Sequence, residues 1–225
     1  MTTIIPVETE CSLCGARSEQ RLVGAIQTLG LPDLDTRPAE LARSALPFGV
    51  QRCPSCGYCA RDISLEYPEA DRVIRTPAYE KILRKRTVSE KARQFLAWAA
   101  IQEVNGEYGG AGWSSLHAAW ACDDADKLKG AAECRQLALE RFTRQLMQLG
   151  HITGLDEPSI IRLVLADLCR RTGHFEPAAR WARDGQELHP SDIVRFALEL
   201  ELALIEDQDT ASHSLEEIPG LQAEV

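Results

Sequence analysis

Two widely separated cysteine pairs constrain the fold of this chain more than any other feature of its sequence. Cys11 and Cys14 form one Cys-x2-Cys pair, Cys53 and Cys56 form the other, and a glycine follows each pair. Four thiols in two such pairs are the donor set of a tetrahedral zinc site, because each pair turns two sulfurs inward and thiolates suit a borderline-soft ion. The sequence therefore predicts one structural Zn²⁺ held by these four residues.

The spacing of the pairs leaves the zinc prediction intact. The 38 residues between Cys14 and Cys53 add little cost, since the entropy of loop closure grows only logarithmically with length. A redox dithiol is the alternative, but it requires only one pair. Cys59 is a fifth thiol that could replace a ligand, and we interpret it as a spare buried thiol. Four cysteine ligands leave no open position for a substrate, so catalytic zinc is not expected.

The rest of the sequence has the pattern of a helical protein. Helices are predicted over residues 76–86, 87–104, 113–122, 129–149, 159–172, 175–188 and 191–206. Thr76 followed by Pro77 marks a helix start, and Thr87-Val-Ser-Glu90 fits a capping box. Residues 105–112 hold four glycines and are predicted as a flexible loop, and residues 151–158 as another loop.

The segment from Arg162 to Pro190 resembles a tetratricopeptide repeat. The positions that match the large, small, turn and stop residues of that repeat are Leu165, Ala166, Cys169, Gly173, Phe175, Ala178, Ala182 and Pro190. Gly185 departs from the usual alanine, which weakens the helix locally. Residues 113–139 look like a degenerate earlier copy. The resemblance implies a concave peptide-binding face, and an ordinary helical hairpin bundle is the alternative.

The front of the chain resembles a group of uncharacterised bacterial proteins. The likeness rests on the Cys-x2-Cys-Gly start, the Pro-Asp-Leu-Asp-Thr-Arg-Pro segment and the Cys-Pro-Ser-Cys-Gly-Tyr run, mainly within residues 8–62. In that group a zinc-ribbon-like head is joined to a helical, repeat-like body. The resemblance supports the four cysteine ligands one by one and implies no activity.

Charge is unevenly distributed along this acidic chain, whose formal net charge is −9. Residues 72–93 hold eight Lys or Arg against two Glu, and Arg84, Lys85 and Arg86 form a candidate anion-binding face. Residues 184–225 hold eleven Asp or Glu against one Arg. Two solvated faces of opposite charge are the alternative interpretation. The net charge argues against a general nucleic-acid binder, because duplex affinity depends largely on neutralising phosphates.

A second candidate site lies between the cysteine pairs. It consists of Asp33, Asp35 and Arg37, where the two carboxylates could face one way in an extended loop and hold an arginine or a cation. The alternative is that the two carboxylates cap turns and pair with Arg37 or Arg43. No catalytic motif accompanies them, so we do not expect an enzyme.

Together these features predict a mainly α protein with a small N-terminal zinc module. The expected divisions are a zinc-ribbon-like module over residues 1–70, a tetratricopeptide-like helical-hairpin bundle over 71–208 and an acidic flexible tail over 209–225. The N-terminus has no signal-peptide pattern and no apolar run reaches the roughly 18 residues of a membrane span, so a cytoplasmic location is expected. The predicted function is a non-enzymatic zinc-binding adaptor that binds a protein or peptide. Nucleic-acid binding through residues 72–93 is the alternative.

Overall fold

The computed structural model describes residues 3–152 and 157–221, and over these residues the protein is mainly helical. The strands are β1 (Ile4–Glu10), β2 (Arg17–Val23), β3 (Gln51–Arg52) and β4 (Cys59–Ala60). The helices are α1 (Ala70–Ile74), α2 (Pro77–Leu83), α3 (Glu90–Val104), α4 (Tyr108–Asp123), α5 (Leu128–Leu149), α6 (Pro158–Arg171), α7 (Phe175–Glu187) and α8 (Asp192–Glu206), with 3-10 helices at Arg43–Phe48 and Leu215–Glu217. Within the described ranges, no helix has the length and apolar character needed to cross a membrane.

The chain forms two compact units. Unit 1 contains residues 1–27 and 44–141, and unit 2 contains residues 28–43 and 142–225. The segment between the two cysteine pairs is therefore divided between the units, because residues 28–43 belong to unit 2 and the residues on either side of them to unit 1. Part of the predicted loop at 151–158, namely residues 153–156, lies outside the described residues.

Unit 1 contains two antiparallel hairpins whose turns carry the cysteine pairs. Strands β1 and β2 pair from Ile4–Val23 to Glu10–Arg17, so the first pair occupies their turn. Strands β3 and β4 pair Arg52 with Cys59, so the second pair occupies theirs. Strand β3 at Gln51–Arg52 runs directly into the second pair. The longer first hairpin was not predicted.

Side-chain caps fix where the helices of unit 1 begin. The predicted start at Thr76 and Pro77 is confirmed, because the Thr76 side chain accepts a hydrogen bond from the backbone N–H of Tyr79. The predicted capping box at Thr87 is wrong. Ser89 caps α3 instead and accepts from the N–H of Ala92, while the Thr87 hydroxyl donates to Glu133.

Residues 108–112 of the glycine-rich stretch are helical, which contradicts the flexible loop predicted over residues 105–112, and only residues 105–107 form a turn. Helix α4 already begins at Tyr108. A Cβ on Gly110 would overlap the side-chain amide of Gln102 on α3. The missing Cβ atoms thus allow α4 to lie close against α3, and this packing outweighs the low helix propensity of glycine.

Unit 2 is built around α6, α7 and α8, whose ends lie within a residue or two of the predicted ones. Its core includes Leu34, Ala166, Ala182, Leu198 and Ile218. Gly185 has a packing role here, because a Cβ on it would lie 3.0 Å from the Cβ of Arg162 and 3.1 Å from the methyl carbons of Leu198. Small residues therefore set how closely α7 packs against α6 and α8.

The C-terminal segment expected to be a flexible tail packs onto unit 2 over residues 209–221. The N–H of Leu34 donates to the carbonyl of His213, and the N–H of Leu215 donates to that of Pro32. Ile218 is 5% exposed, so an apolar side chain anchors a segment that is acidic overall. Residues 222–225 of the predicted tail lie outside the described residues.

Candidate metal centre

The first cysteine pair forms a tight turn closed by backbone hydrogen bonds. The N–H of Cys11 donates to the carbonyl of Ala16 at 3.0 Å, and the N–H of Gly15 donates back to Cys11 at 2.8 Å. Gly15 has φ +70°, a left-handed conformation that glycine adopts without steric cost. The glycine after the pair is thus required by the backbone of the turn.

The second cysteine pair repeats this geometry. The N–H of Cys53 donates to Tyr58 at 2.8 Å, the N–H of Gly57 donates to Cys53 at 3.0 Å, and Gly57 has φ +80°. Two hairpins of different length therefore end in the same turn, which we call a knuckle. Each knuckle directs the two sulfurs of its pair to one side.

The four sulfurs of the two knuckles form one cluster. The Sγ atoms of Cys11, Cys14, Cys53 and Cys56 all lie within 4.8 Å of one another. The Cys11–Cys56 separation is 3.7 Å and the Cys14–Cys53 separation is 3.6 Å. Zn–S bonds of about 2.3 Å in a tetrahedron place sulfurs about 3.8 Å apart, whereas a disulfide requires about 2.05 Å. The geometry therefore suits a shared metal ion.

The pKa values of the thiols in the cluster are shifted in different directions. Burial raises the pKa of Cys11. At Cys53 burial acts in the same direction, but the backbone N–H groups of Cys56 and Ser55 and the Cys14 thiol lower its pKa to about 7. Burial and the neighbouring thiols raise the pKa of Cys56. Four adjacent sulfurs resist full ionisation by themselves, and a divalent cation at their centre would relieve that repulsion.

Side chains outside the cluster hold the knuckles in place. Ser12 fixes the first knuckle, because both its N–H and its hydroxyl donate to the carbonyl of Ile63. Gln20 of β2 donates to the carbonyl of Arg52 at 3.1 Å, which joins the two hairpins. These contacts involve single polar residues far apart in sequence, so the cysteine pattern alone does not reveal them.

Tyr79 of α2 braces the second knuckle. Its hydroxyl donates to the carbonyl of Gly57 at 3.0 Å and accepts from the N–H of Cys59 at 3.1 Å. Its side chain is 1% exposed, so this ring is not available to stack on a base. The sequence signal that could have revealed this contact is a tyrosine two residues after a predicted helix start. A buried tyrosine hydroxyl normally has a hydrogen-bond partner.

Cys59 is not a member of the cluster. Its thiol donates to the carbonyl of Gly57 at 3.4 Å, and burial raises its pKa to about 12. The remaining cysteines, Cys122, Cys134 and Cys169, are also buried. Burial raises the pKa of Cys169 to about 11, whereas a hydrogen bond with the Cys134 thiol lowers the pKa of Cys122 to about 7.

The candidate anion-binding residues on the basic run are partly neutralised. Arg84 pairs with Glu80, and Lys85 pairs with Glu133 at 2.9 Å. Arg86 is exposed. Two of these three residues therefore have carboxylate partners, which reduces the positive charge that they offer to an anion.

The candidate loop residues Asp33, Asp35 and Arg37 are buried in unit 2, at 7%, 1% and 5% exposure. Asp33 pairs with Arg43 at 2.7 Å. Asp35 accepts a hydrogen bond from the N–H of Arg37 and pairs with Arg171 of α6 at 3.4 Å. Burial and the negative charge of Asp35 raise the pKa of Asp33. The loop is thus held by ion pairs in the interior of its unit.

The chain matches the model of a known protein family over more than half of its length. The model of a family described as "Uncharacterized protein conserved in bacteria (DUF2225)" matches residues 42–189. This range includes the second knuckle, and the first knuckle precedes it. The comparisons with curated proteins and with solved structures gave no match.

Proposed function

Because the chain belongs to the bacterial family DUF2225, whose description names no activity, we propose a function from the geometry of its two units. The protein is a non-enzymatic adaptor in the cytoplasm. Unit 1 is a zinc-ribbon-like platform in which Cys11, Cys14, Cys53 and Cys56 bind one Zn²⁺. Unit 2 is a tetratricopeptide-like body that binds a partner protein.

The zinc assignment rests on the donor set and its spacing. Four clustered thiolates, of which those of Cys11 and Cys53 are buried, favour zinc over harder cations that prefer oxygen ligands. When bound, the ion supplies a cross-link between the two knuckles and no open coordination position. This role is structural, and it is the first reason to propose an adaptor rather than a catalyst.

An exposed apolar stripe on α8 carries the proposal of a protein partner. Ile193 is 51% exposed and Phe196 is 37% exposed. Ala203 continues the stripe at helical spacing, and Leu200 between them is partly buried and also packs against the core. Val194 and Leu198 on the opposite side of α8 belong to that core. An apolar row at this spacing complements another helix.

The charges beside the stripe support a basic partner. Asp192, Glu199 and Glu206 are exposed and follow one another at intervals of seven residues, so they share a face of α8 next to the stripe. Arg195 pairs with Asp192 at 3.1 Å and with Glu199 at 3.0 Å. A second copy of this acidic helix would be repelled. We therefore propose that the occupant is a basic amphipathic helix of another protein.

The test is capture of the partner by tagged protein from its own bacterium, with matched variants. We expect one protein to be retained by the wild type, lost with Phe196→Asp or Ile193→Asp, and released by added salt. Leu149→Asp is the control, because Leu149 is a 60% exposed leucine on a different helix, α5. Retention that is equal in Phe196→Asp and Leu149→Asp would refute the assignment of this surface.

Nucleic-acid binding through residues 72–93 stays a prediction. The ion pairs of Arg84 and Lys85 reduce the charge that this run offers to a phosphate backbone, and binding of that kind requires several uncompensated cations. Retention of the protein on heparin that falls with salt and is lost in Arg86→Gln would favour it.

A further inference from the structure

A cavity of about 350 Å³ in unit 1 brings together three cations that are distant in sequence. It is lined by Arg21 of β2, Arg52 of β3 and Lys91 of α3. Pro54 of the second knuckle also lines it, so the cavity lies beside the candidate metal centre. A volume of this size is typical of small-molecule sites.

Several other basic residues of unit 1 are neutralised by carboxylates, which Arg21 and Arg52 are not within the part of the chain that the structure describes. Arg17, Arg75 and Arg84 each pair with a carboxylate. Arg21 and Arg52 form no ion pair with any residue in the described ranges. The Nε of Arg52 is buried, and it has no hydrogen-bond partner there. A buried donor without a partner is costly, so this guanidinium is poised to meet an acceptor.

The ammonium group of Lys91 is destabilised by its surroundings in this cavity. Its Nζ donates to the side chain of Gln94 at 3.0 Å and lies 6.0 Å from the centre of the Phe48 ring. Burial lowers its pKa, and the positive charge of Arg21 lowers it further, although Glu90 and Cys59 act in the opposite direction. An anion between these like charges would remove their repulsion.

We propose that this cavity binds the phosphoryl group of a small phosphate monoester. Two guanidinium groups and one ammonium match the charge and the several acceptor oxygens of a phosphate dianion. Phe48 and Val50 provide apolar surface for the organic part of the ligand. Glu19, an exposed residue, is the carboxylate among the lining side chains, and it disfavours a flat polyanion spread across the rim.

The competing explanation is that the cations only balance the charge of the thiolates. Arg52 precedes Cys53, and its charge lowers the pKa of Cys59. If charge balance were their only role, removing a cation would weaken metal binding, and the protein would show no specific phosphate binding. Metal affinity and phosphate affinity therefore separate the two explanations, and neither depends on the proposed partner of α8.

The experiment is calorimetric titration of metal-loaded full-length protein with inorganic phosphate and with phenyl phosphate. We expect saturable binding of one equivalent, tighter for phenyl phosphate because its ring can pack on Phe48. Lys91→Gln and Arg52→Gln should each weaken binding about tenfold or more, as expected for the loss of a charge-assisted hydrogen bond. Arg17→Gln is the control, since Arg17 is exposed and paired with Glu10 on the same hairpin.

Three results would overturn the proposal. One is the absence of saturable heat for both probes up to about 10 mM, a range that includes the weakest specific sites. Another is equal affinity of Lys91→Gln and Arg17→Gln. The third is a loss of metal from Lys91→Gln and Arg52→Gln with unchanged phosphate affinity in their metal-loaded fraction. If Arg52→Gln fails to fold, Lys91→Gln alone decides the question.

Discussion

Gly15 and Gly57 determine the shape of the knuckles because each lies in the left-handed region that other residues adopt at a cost. Their surroundings differ, however. A Cβ on Gly15 would meet nothing within 4 Å, whereas a Cβ on Gly57 would lie 3.0 Å from a methyl carbon of Leu83. The two positions thus separate the cost of backbone conformation from the cost of crowding.

Replacement of each glycine by alanine should therefore have unequal effects. Gly15→Ala should lower the free energy of unfolding of metal-loaded protein by about 1 kcal/mol, from backbone strain alone. Gly57→Ala should cost more, because α2 must also shift away. Chemical denaturation of both variants measures the difference, and equal costs would show that Leu83 does not constrain the second knuckle.

Tyr79 provides a second test at this scale. Tyr79→Phe leaves the carbonyl of Gly57 and the N–H of Cys59 without their buried partner, which should cost about 1–3 kcal/mol. The metal should also dissociate faster, measured by transfer to a chromophoric chelator. Tyr108→Phe is the control on α4. If both variants release metal at the wild-type rate, Tyr79 does not brace the knuckle.

Individual elements of unit 2 are joined by buried charges. Arg170 of α6 is fully buried and pairs with Asp167 at 2.7 Å and with Glu201 of α8 at 2.8 Å. Its Nη1 donates to the carbonyls of Asp209 and Ala211. One guanidinium therefore connects two helices to the C-terminal segment, and removing one partner of such a network is costly.

This network makes the stability of unit 2 depend on pH. Burial raises the pKa of Glu201 to about 8, the negative charge of Asp167 adds to this, and Arg170 opposes it. An unfolded glutamate has a pKa of about 4.3, so between these values the folded state holds the extra proton. The free energy of unfolding should therefore fall as pH rises from about 4.3 towards about 8.

Glu201→Gln should flatten that dependence, as measured by chemical denaturation at several pH values between 4.5 and 8. The control is Glu206→Gln, an exposed residue on the same helix, which should retain the wild-type slope. An unchanged slope in Glu201→Gln would show that another group causes the pH dependence.

An element could be predicted from the sequence where the residues that determine it are close together in the chain. Helices α7 and α8 were predicted within one residue, because their apolar spacing and end residues are local. The loop with Asp35 could not be placed, since its partner Arg171 lies 136 residues away. The cations of the cavity were missed for the same reason. Strand β1 was missed because Ile4 and Ile5 are exposed, which leaves its pattern weak.

At the scale of the whole molecule, one ion would connect hairpins whose sulfur pairs lie 38 residues apart in sequence. The second hairpin is short, because strands β3 and β4 hold only two residues each. A structural zinc contributes about 10–16 kcal/mol of apparent binding energy in small peptides. The knuckles should therefore depend on the metal much more than α6, α7 and α8 do.

Removal of the metal should have a local effect. With a strong chelator, the backbone amide signals of residues 4–23 and 51–60 should lose their dispersion in NMR spectra. The signals of α6, α7 and α8 should persist, because a core of apolar side chains and the Arg170 network holds them. Loss of all signals together would show that both units depend on the ion.

The most direct test of the central claim is X-ray absorption at the zinc edge, with metal content measured on protein purified without chelators. One zinc per chain with four sulfur ligands at about 2.3 Å is the predicted result. Serine at Cys14 or Cys56 should reduce the sulfur count, and serine at Cys59 should not. Protein that folds without stoichiometric metal, or zinc bound by nitrogen and oxygen, would contradict the account.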